Sequence, residues 1–220
     1  MRPRPAPLRR CLFALTTLLF TAPSLADGIQ QLRQFLQRTQ QGSGHFEQIV
    51  YAPSGTATER SQGQFSFARP DRFRWHYEQP YEQLLVSDGQ TFWSWDPELK
   101  QATRHKTGEG LAATPAAILA GEKALDTHFT LENQPDADGL EWVLARPRAE
   151  GSSFTEVRIG LRENRVERMS IVDNFGQRTE LKLLDTQLGQ PLASDIFRFT
   201  PPQGADIIDA VPIPAAAANG

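Results

Sequence analysis

Gln64-Phe65-Ser66-Phe67-Ala68-Arg69-Pro70, followed after Asp71 by Arg72-Phe73-Arg74-Trp75-His76-Tyr77-Glu78, decides the fold. Both runs alternate with period two, so alternate side chains fall on one face of a strand. Phe65, Phe67 and Arg69 share a face on the first run. Phe73, Trp75 and Tyr77 share one on the second, and Arg72, Arg74, His76 and Glu78 take the other. Two neighbouring strands thus present five aromatics and one arginine on a single surface. Trp93 and Trp95 are expected to join it from a later hairpin.

Moving outward, the same periodicity recurs. Strands are expected over 45–51, 63–68, 72–78, 83–87, 91–95, 129–132, 140–145, 153–161, 165–173, 178–185 and 197–200. Short turns such as Ser87-Asp88-Gly89-Gln90, Arg162-Glu163-Asn164 and Asp173-Asn174-Phe175-Gly176 separate several of them. About eleven short strands at this spacing predict one antiparallel sheet curled toward a barrel. A single helix precedes them. Ile29, Leu32 and Leu36 recur at helical spacing behind Asp27 as N-cap, and Gly42-Ser43-Gly44 is the expected stop. Within 108–121, Thr114 and Pro115 predict a short, apolar helix over 114–120, carrying Ile118 and Leu119. A helix apolar all round has to lie over something apolar.

The chain ends read differently. Arg2, Arg4, Arg9 and Arg10 precede a short apolar run from Cys11 to Phe20, and Ser24-Leu25-Ala26 is a small-x-small cleavage pattern. Residues 1–26 are therefore expected to be a secretory signal cleaved near Ala26, since an apolar core of roughly ten residues is too short for a spanning helix of about 20. Cys11 sits inside this signal, after the arginines, and so does not have the place of a lipidated cysteine. Without the signal, 19 basic and 26 acidic residues remain, a balance of −7. Such a charge disfavours nucleic-acid binding. Residues 27–205 are expected to form one domain, and 206–220 a flexible tail rich in Ala and Pro.

The side chains for chemistry are not grouped. His45, His76, His105 and His128 are scattered without ligand spacing, and the only cysteine is Cys11. No nucleophile elbow, phosphate loop or dinucleotide fingerprint occurs. The expectation is a non-enzyme without metal or cofactor. For Arg69 two readings stand. It is a strand-end side chain reaching for water, or it faces inward and bonds the free carbonyls of the 114–120 helix, latching that helix over the aromatic surface.

The sequence resembles the LolA family of periplasmic outer-membrane lipoprotein carriers over roughly 28–204. The likeness rests on Phe67-Ala68-Arg69-Pro70, Phe73-Arg74-Trp75, Gln79-Pro80, Leu85-Val86-Ser87-Asp88-Gly89, Thr91-Phe92-Trp93, Asp96-Pro97, Gln101-Ala102, Thr114-Pro115 and Phe199-Thr200-Pro201-Pro202-Gln203-Gly204. It implies a mainly β, α+β fold: an unclosed β-barrel with short helices as a lid over a hydrophobic cavity. Arg69 matches the lid latch and Phe73 a partner-binding position. Phe65, Phe67, Trp75, Tyr77, Trp93 and Trp95 are then candidate acyl-chain contacts, with Pro115, Ile118 and Leu119 on the lid helix. The implied partners are acylated lipoproteins, an inner-membrane ABC-type releasing complex and an outer-membrane receptor, met by a periplasmic monomer. A generic periplasmic binder of lipids is the alternative.

Overall fold

The computed structural model describes residues 27–106, 122–148 and 152–210. Helix α1 (Gly28–Arg38) leads into β1 (Gln41–Tyr51), β2 (Ala57–Ala68), β3 (Arg72–Gln79), β4 (Gln83–Asp88), β5 (Thr91–Asp96) and β6 (Gln101–Lys106). Then come α2 (Glu122–His128), β7 (Phe129–Ala137), β8 (Leu140–Pro147), β9 (Phe154–Arg162), β10 (Arg165–Asp173) and β11 (Arg178–Leu188). A 3-10 turn (Ser194–Phe197) and β12 (Asp206–Asp209) complete the described order.

All twelve strands form one sheet in the order β12-β6-β5-β4-β3-β2-β1-β11-β10-β9-β8-β7. The two edges, β12 and β7, do not pair, so the barrel is unclosed as expected. Every pairing is antiparallel except that of β12 with β6. Residues of α1, α2 and every strand from β1 to β11 except β6 belong to or pack on one buried cluster, which places that face of the curled sheet inside.

Helix α1 forms where the apolar spacing predicts it. Asp27 Oδ1 accepts from the backbone N–H groups of Ile29 (3.0 Å) and Gln30 (3.4 Å), and Asn133 on β7 donates to the same oxygen at 2.7 Å. The cap thus starts the helix and anchors it to the sheet. Leu32, Phe35 and Leu36 are buried, and the helix packs on β7 to β10. Arg33 bonds Asp126 of α2 through both guanidinium nitrogens, which holds the Asp126 carboxyl below the usual carboxylate range.

Four expectations need correction. Gly42-Ser43-Gly44 does not end α1. The helix stops at Arg38 and these residues lie within β1, where a side chain on Gly42 or Gly44 would strike the rings of Phe67 and Phe65. Strand β6 was not expected, because Gln101–Lys106 is polar, and of residues 101–105 only Ala102 is fully buried. Residues 197–200 form no strand. Phe197 closes the 3-10 turn and is buried on the outer side of the sheet, with the Arg72 guanidinium 5.7 Å from its ring. Finally, the expected flexible tail begins with β12, whose Asp209 bonds Arg104 of β6 at 2.7 Å. The 114–120 helix lies outside the described residues.

Candidate functional site

The inner face of β1 to β5 is a wall of rings. Register places Phe65 opposite Trp75 and Phe67 opposite Phe73. Trp75 stacks on Phe46 (centroids 4.3 Å apart) and on Phe65 (5.6 Å), and Tyr77 meets Phe46 edge-on at 5.1 Å. Phe73 stacks on Phe92 at 5.6 Å, and Phe67 meets Phe35 of α1 at 6.2 Å. Stacked and edge-on pairs at these separations are the favourable arrangements of ring quadrupoles. The glycines make room for them: a Cβ on Gly42 would lie 2.8 Å from the Phe67 ring, and one on Gly44 3.0 Å from Phe65.

Arg69 lies at one end of this wall. Its guanidinium carbon sits 4.9 Å from the Phe67 ring centre and 5.1 Å from that of Phe35. Nε, Nη1 and Nη2 are all buried and have no hydrogen-bond acceptor among the described residues. Burial pushes its pKa down to about 10, so it remains a cation at neutral pH. The side chain therefore faces inward, against the reading in which it reaches for water. Two ring faces attract a cation by about 0.5–2 kcal/mol each, less than the several kcal/mol that desolvating an unpaired charge costs.

The other end of the wall is polar. The Tyr77 hydroxyl donates to Gln48 Oε1 at 3.2 Å, and burial pushes the phenol up to about 12. Ser61, opposite Gln48 in the ladder, is 8 % exposed and its hydroxyl has no partner among the described residues. Trp75 Nε1 is likewise buried without one. Gln48, Ser61 and Tyr77 open on a cavity of about 500 Å³, rimmed by Glu59, Glu82, Asp96 and Glu98 and by the exposed side chains of Tyr81 (68 %) and Leu99 (69 %).

The structure thus brings together Arg69, Phe65, Phe67, Phe73, Trp75 and Tyr77. It does not bring Trp93 and Trp95 to the same surface. On β5 it is Phe92 that points inward, while Trp93 and Trp95 pack against Phe199 on the outer face, at 5.8 and 6.0 Å. Thr91-Phe92-Trp93-Ser94-Trp95 has large rings on both phases, so its pattern alone sets no inward face. Phe73, matched to a partner-binding position, is only 4 % exposed, because its strand phase is that of Trp75. Pro115, Ile118 and Leu119 lie outside the described residues. Phe46, Phe92 and Phe35 are the wall members that sequence reasoning missed. For Phe46 a signal existed: it shares the strand phase of Gly42 and Gly44, and glycines facing an aromatic strand mark places where rings lie across the backbone.

Among the described residues no group of three or more His, Cys, Asp or Glu side chains could hold a metal ion. What the arrangement offers chemically is an apolar, ring-lined concavity with a buried cation at one end and hydrogen-bonding groups at the other.

Residues 37–200 match the family model described as "Outer membrane lipoprotein carrier protein LolA". An outer-membrane lipoprotein carrier protein of Methylibium petroleiphilum is 44 % identical over 183 residues, covering 83 % of this chain and 90 % of that one. Another, from Bordetella pertussis, is 39 % identical over 196 residues, covering 89 % and 93 %. Among solved structures, an uncharacterized conserved protein of Thermus thermophilus aligns with a TM-score of 0.52 at 13 % identity, over 83 % of this chain and 99 % of its own. A LolA superfamily protein of Nitrosomonas europaea aligns at 0.50 and 12 % identity, over 78 % and 96 %.

Proposed function

The chain belongs to the LolA family of outer-membrane lipoprotein carrier proteins, and on that premise we propose that it ferries lipoproteins across an aqueous space by holding their acyl chains in the ring-lined concavity. The family is one of carriers, not enzymes. In this reading residues 1–26 direct export to the periplasm and are removed near Ala26. The working unit runs from Asp27 through β12, longer than the 27–205 span expected from sequence. Cargo comes from an ABC-type complex in the inner membrane and leaves to a receptor at the outer membrane. The carrier acts as a monomer.

The observation that carries the reading is the aromatic inner wall of β1 to β5. Three acyl chains hold some 45 methylenes, and at about 0.8 kcal/mol each their exposure to water costs roughly 36 kcal/mol. Noncovalent affinities saturate near −18 to −21 kcal/mol, and a shuttle must also release. A smooth wall that covers the chains in part suits both demands. Arg69 serves as the latch: its buried, unsatisfied guanidinium is the natural partner of carbonyls at the end of the 114–120 helix, where Pro115, Ile118 and Leu119 would face the rings. Phe65, Phe67, Trp75 and Tyr77 touch the chains. Phe73, interior here, meets the releasing complex only when the concavity opens.

A transfer assay tests this. Purified protein without residues 1–26 is added to inner-membrane vesicles bearing a triacylated lipoprotein and its releasing complex. Acylated cargo is expected in the supernatant as a one-to-one complex. Cargo that stays with the vesicles while the protein is folded overturns the proposal.

A further inference from the structure

The carrier reading accounts for the rings but not for the polar end of the concavity. An interior meant only for hydrocarbon has no use for a buried hydroxyl without a partner, because such a group costs free energy until something bonds it. Ser61 is such a group, more than nine-tenths buried, and it opens on the cavity of about 500 Å³. Beside it the Tyr77 hydroxyl and the Gln48 amide are already tied together at 3.2 Å, which fixes them in place. All three share the inner phase of β1, β2 and β3 with the ring wall, so a molecule lying along the rings reaches them at its end.

The charge around them is one-sided. Glu59, Glu82, Asp96 and Glu98 line the cavity, and its described lining includes no lysine or arginine. The Glu82 carboxylate is held by His76 Nε2 at 3.1 Å, on the outer phase of β3, so the charge turned to the cavity is that of Glu59, Asp96 and Glu98. Arg60 follows Glu59 and so takes the outer phase of β2. A phosphate or carboxylate brought here meets like charges at close range, whereas an ester or amide meets donors and acceptors of its own kind.

We infer that this end of the concavity is a head-group filter, seating the uncharged ester and amide junction where acyl chains meet a peptide and turning away anionic lipid heads. The inference rests on the carrier reading and adds a selectivity to it: lipoprotein is preferred over the ionised phospholipids and fatty acids that surround it in a membrane. The exposed Tyr81 and Leu99 mark the lip over which the peptide leaves.

Three probes test it by titration at pH 8: a triacylated cysteinyl tetrapeptide, palmitate, and N-phenyl-1-naphthylamine, an apolar dye without a head group. The variant Tyr77→Phe/Ser61→Ala is expected to bind the acylated peptide about threefold to tenfold more weakly and the dye as the parent does. The variant Glu59→Gln/Glu98→Gln is expected to bind palmitate at least about threefold more tightly, again with the dye unchanged. If each variant shifts all three probes alike, or shifts none, the filter is overturned. If the parent binds dye and palmitate but no acylated peptide, the carrier reading itself fails and the filter with it.

Discussion

The two halves of the inner face are built from different side chains. Under α1, strands β8 to β10 contribute Val143, Ala145, Val157, Ile159, Leu161, Val166 and Met169, beside a single ring pair, Phe129 of β7 stacked on Phe154 of β9 at 6.0 Å. Branched and flexible aliphatic chains of this kind interlock with the ridges of a helix at the density of a protein interior. Strands β1 to β5 contribute Phe46, Phe65, Phe67, Phe73, Trp75 and Phe92 instead. Broad rings make walls rather than ridges. Among the described residues, the buried polar atoms without a partner divide the same way: Arg69, Ser61 and Trp75 stand on the ring side, and Glu141 on the helix side. The lesson is that burial means two things in one molecule. One half is aliphatic chains interlocked under a helix, and the other is a wall of rings with buried polar atoms set among it.

The largest test of this contrast is a pair of substitutions. Ile159→Ala, at a fully buried position under the helix, is expected to lose about 2–5 kcal/mol in urea unfolding, with acylated-peptide affinity per folded molecule unchanged. Phe65→Leu is expected to lose less than about 1.5 kcal/mol, while that affinity falls about tenfold. Equal losses of stability with binding intact would make the halves one ordinary core.

Arg69→Leu comes next. With the latch bonds and the desolvation penalty removed together, Tm is expected to change by less than about 4 °C, the equivalent of about 1 kcal/mol, while lipoprotein transfer is lost. Transfer at the parent's rate would overturn the latch.

The smallest effect is at alkaline pH. The folded Tyr77 pKa, about 12, lies above its ordinary value of 10.0. Its contribution to stability is complete below pH 10 and is lost as pH rises through 12. Arg69 works the other way, since burial holds its pKa below the ordinary guanidinium range, so its penalty eases at strongly alkaline pH. Tyr77→Phe should therefore flatten the fall in urea midpoint above pH 10. A midpoint series from pH 9 to 11 with the parent's slope contradicts the placement of the phenol.

Much of this was legible in the residues. Period-two alternation from Phe65 to Tyr77 fixed both the strands and their inward faces, because a core can be built on one phase only. Asp27 with Ile29, Leu32 and Leu36 likewise revealed α1. The failures came where that logic has no grip. Thr91–Asp96 is apolar on both phases, since the segment 190–205 lays Phe197 and Phe199 over the outer face, and only that tertiary cover shows which rings go where. Strands β6 and β12 exist through neighbours rather than through their own hydrophobicity. The orphaned atoms of Ser61 and Trp75 depend on distances that no spacing encodes.

The missing seam between β12 and β7 has a consequence for solubility. A sheet that does not close keeps two rows of unpaired amides, and such rows recruit strands from other molecules into aggregates. Here both are guarded. One edge is only four residues long and begins and ends in aspartate, with Asp209 tied to Arg104. The other carries Glu132, Pro135 and Asp136 along its length, so a charge or a missing donor interrupts any regular ladder. The barrel can thus stay open for a guest without polymerising through the gap.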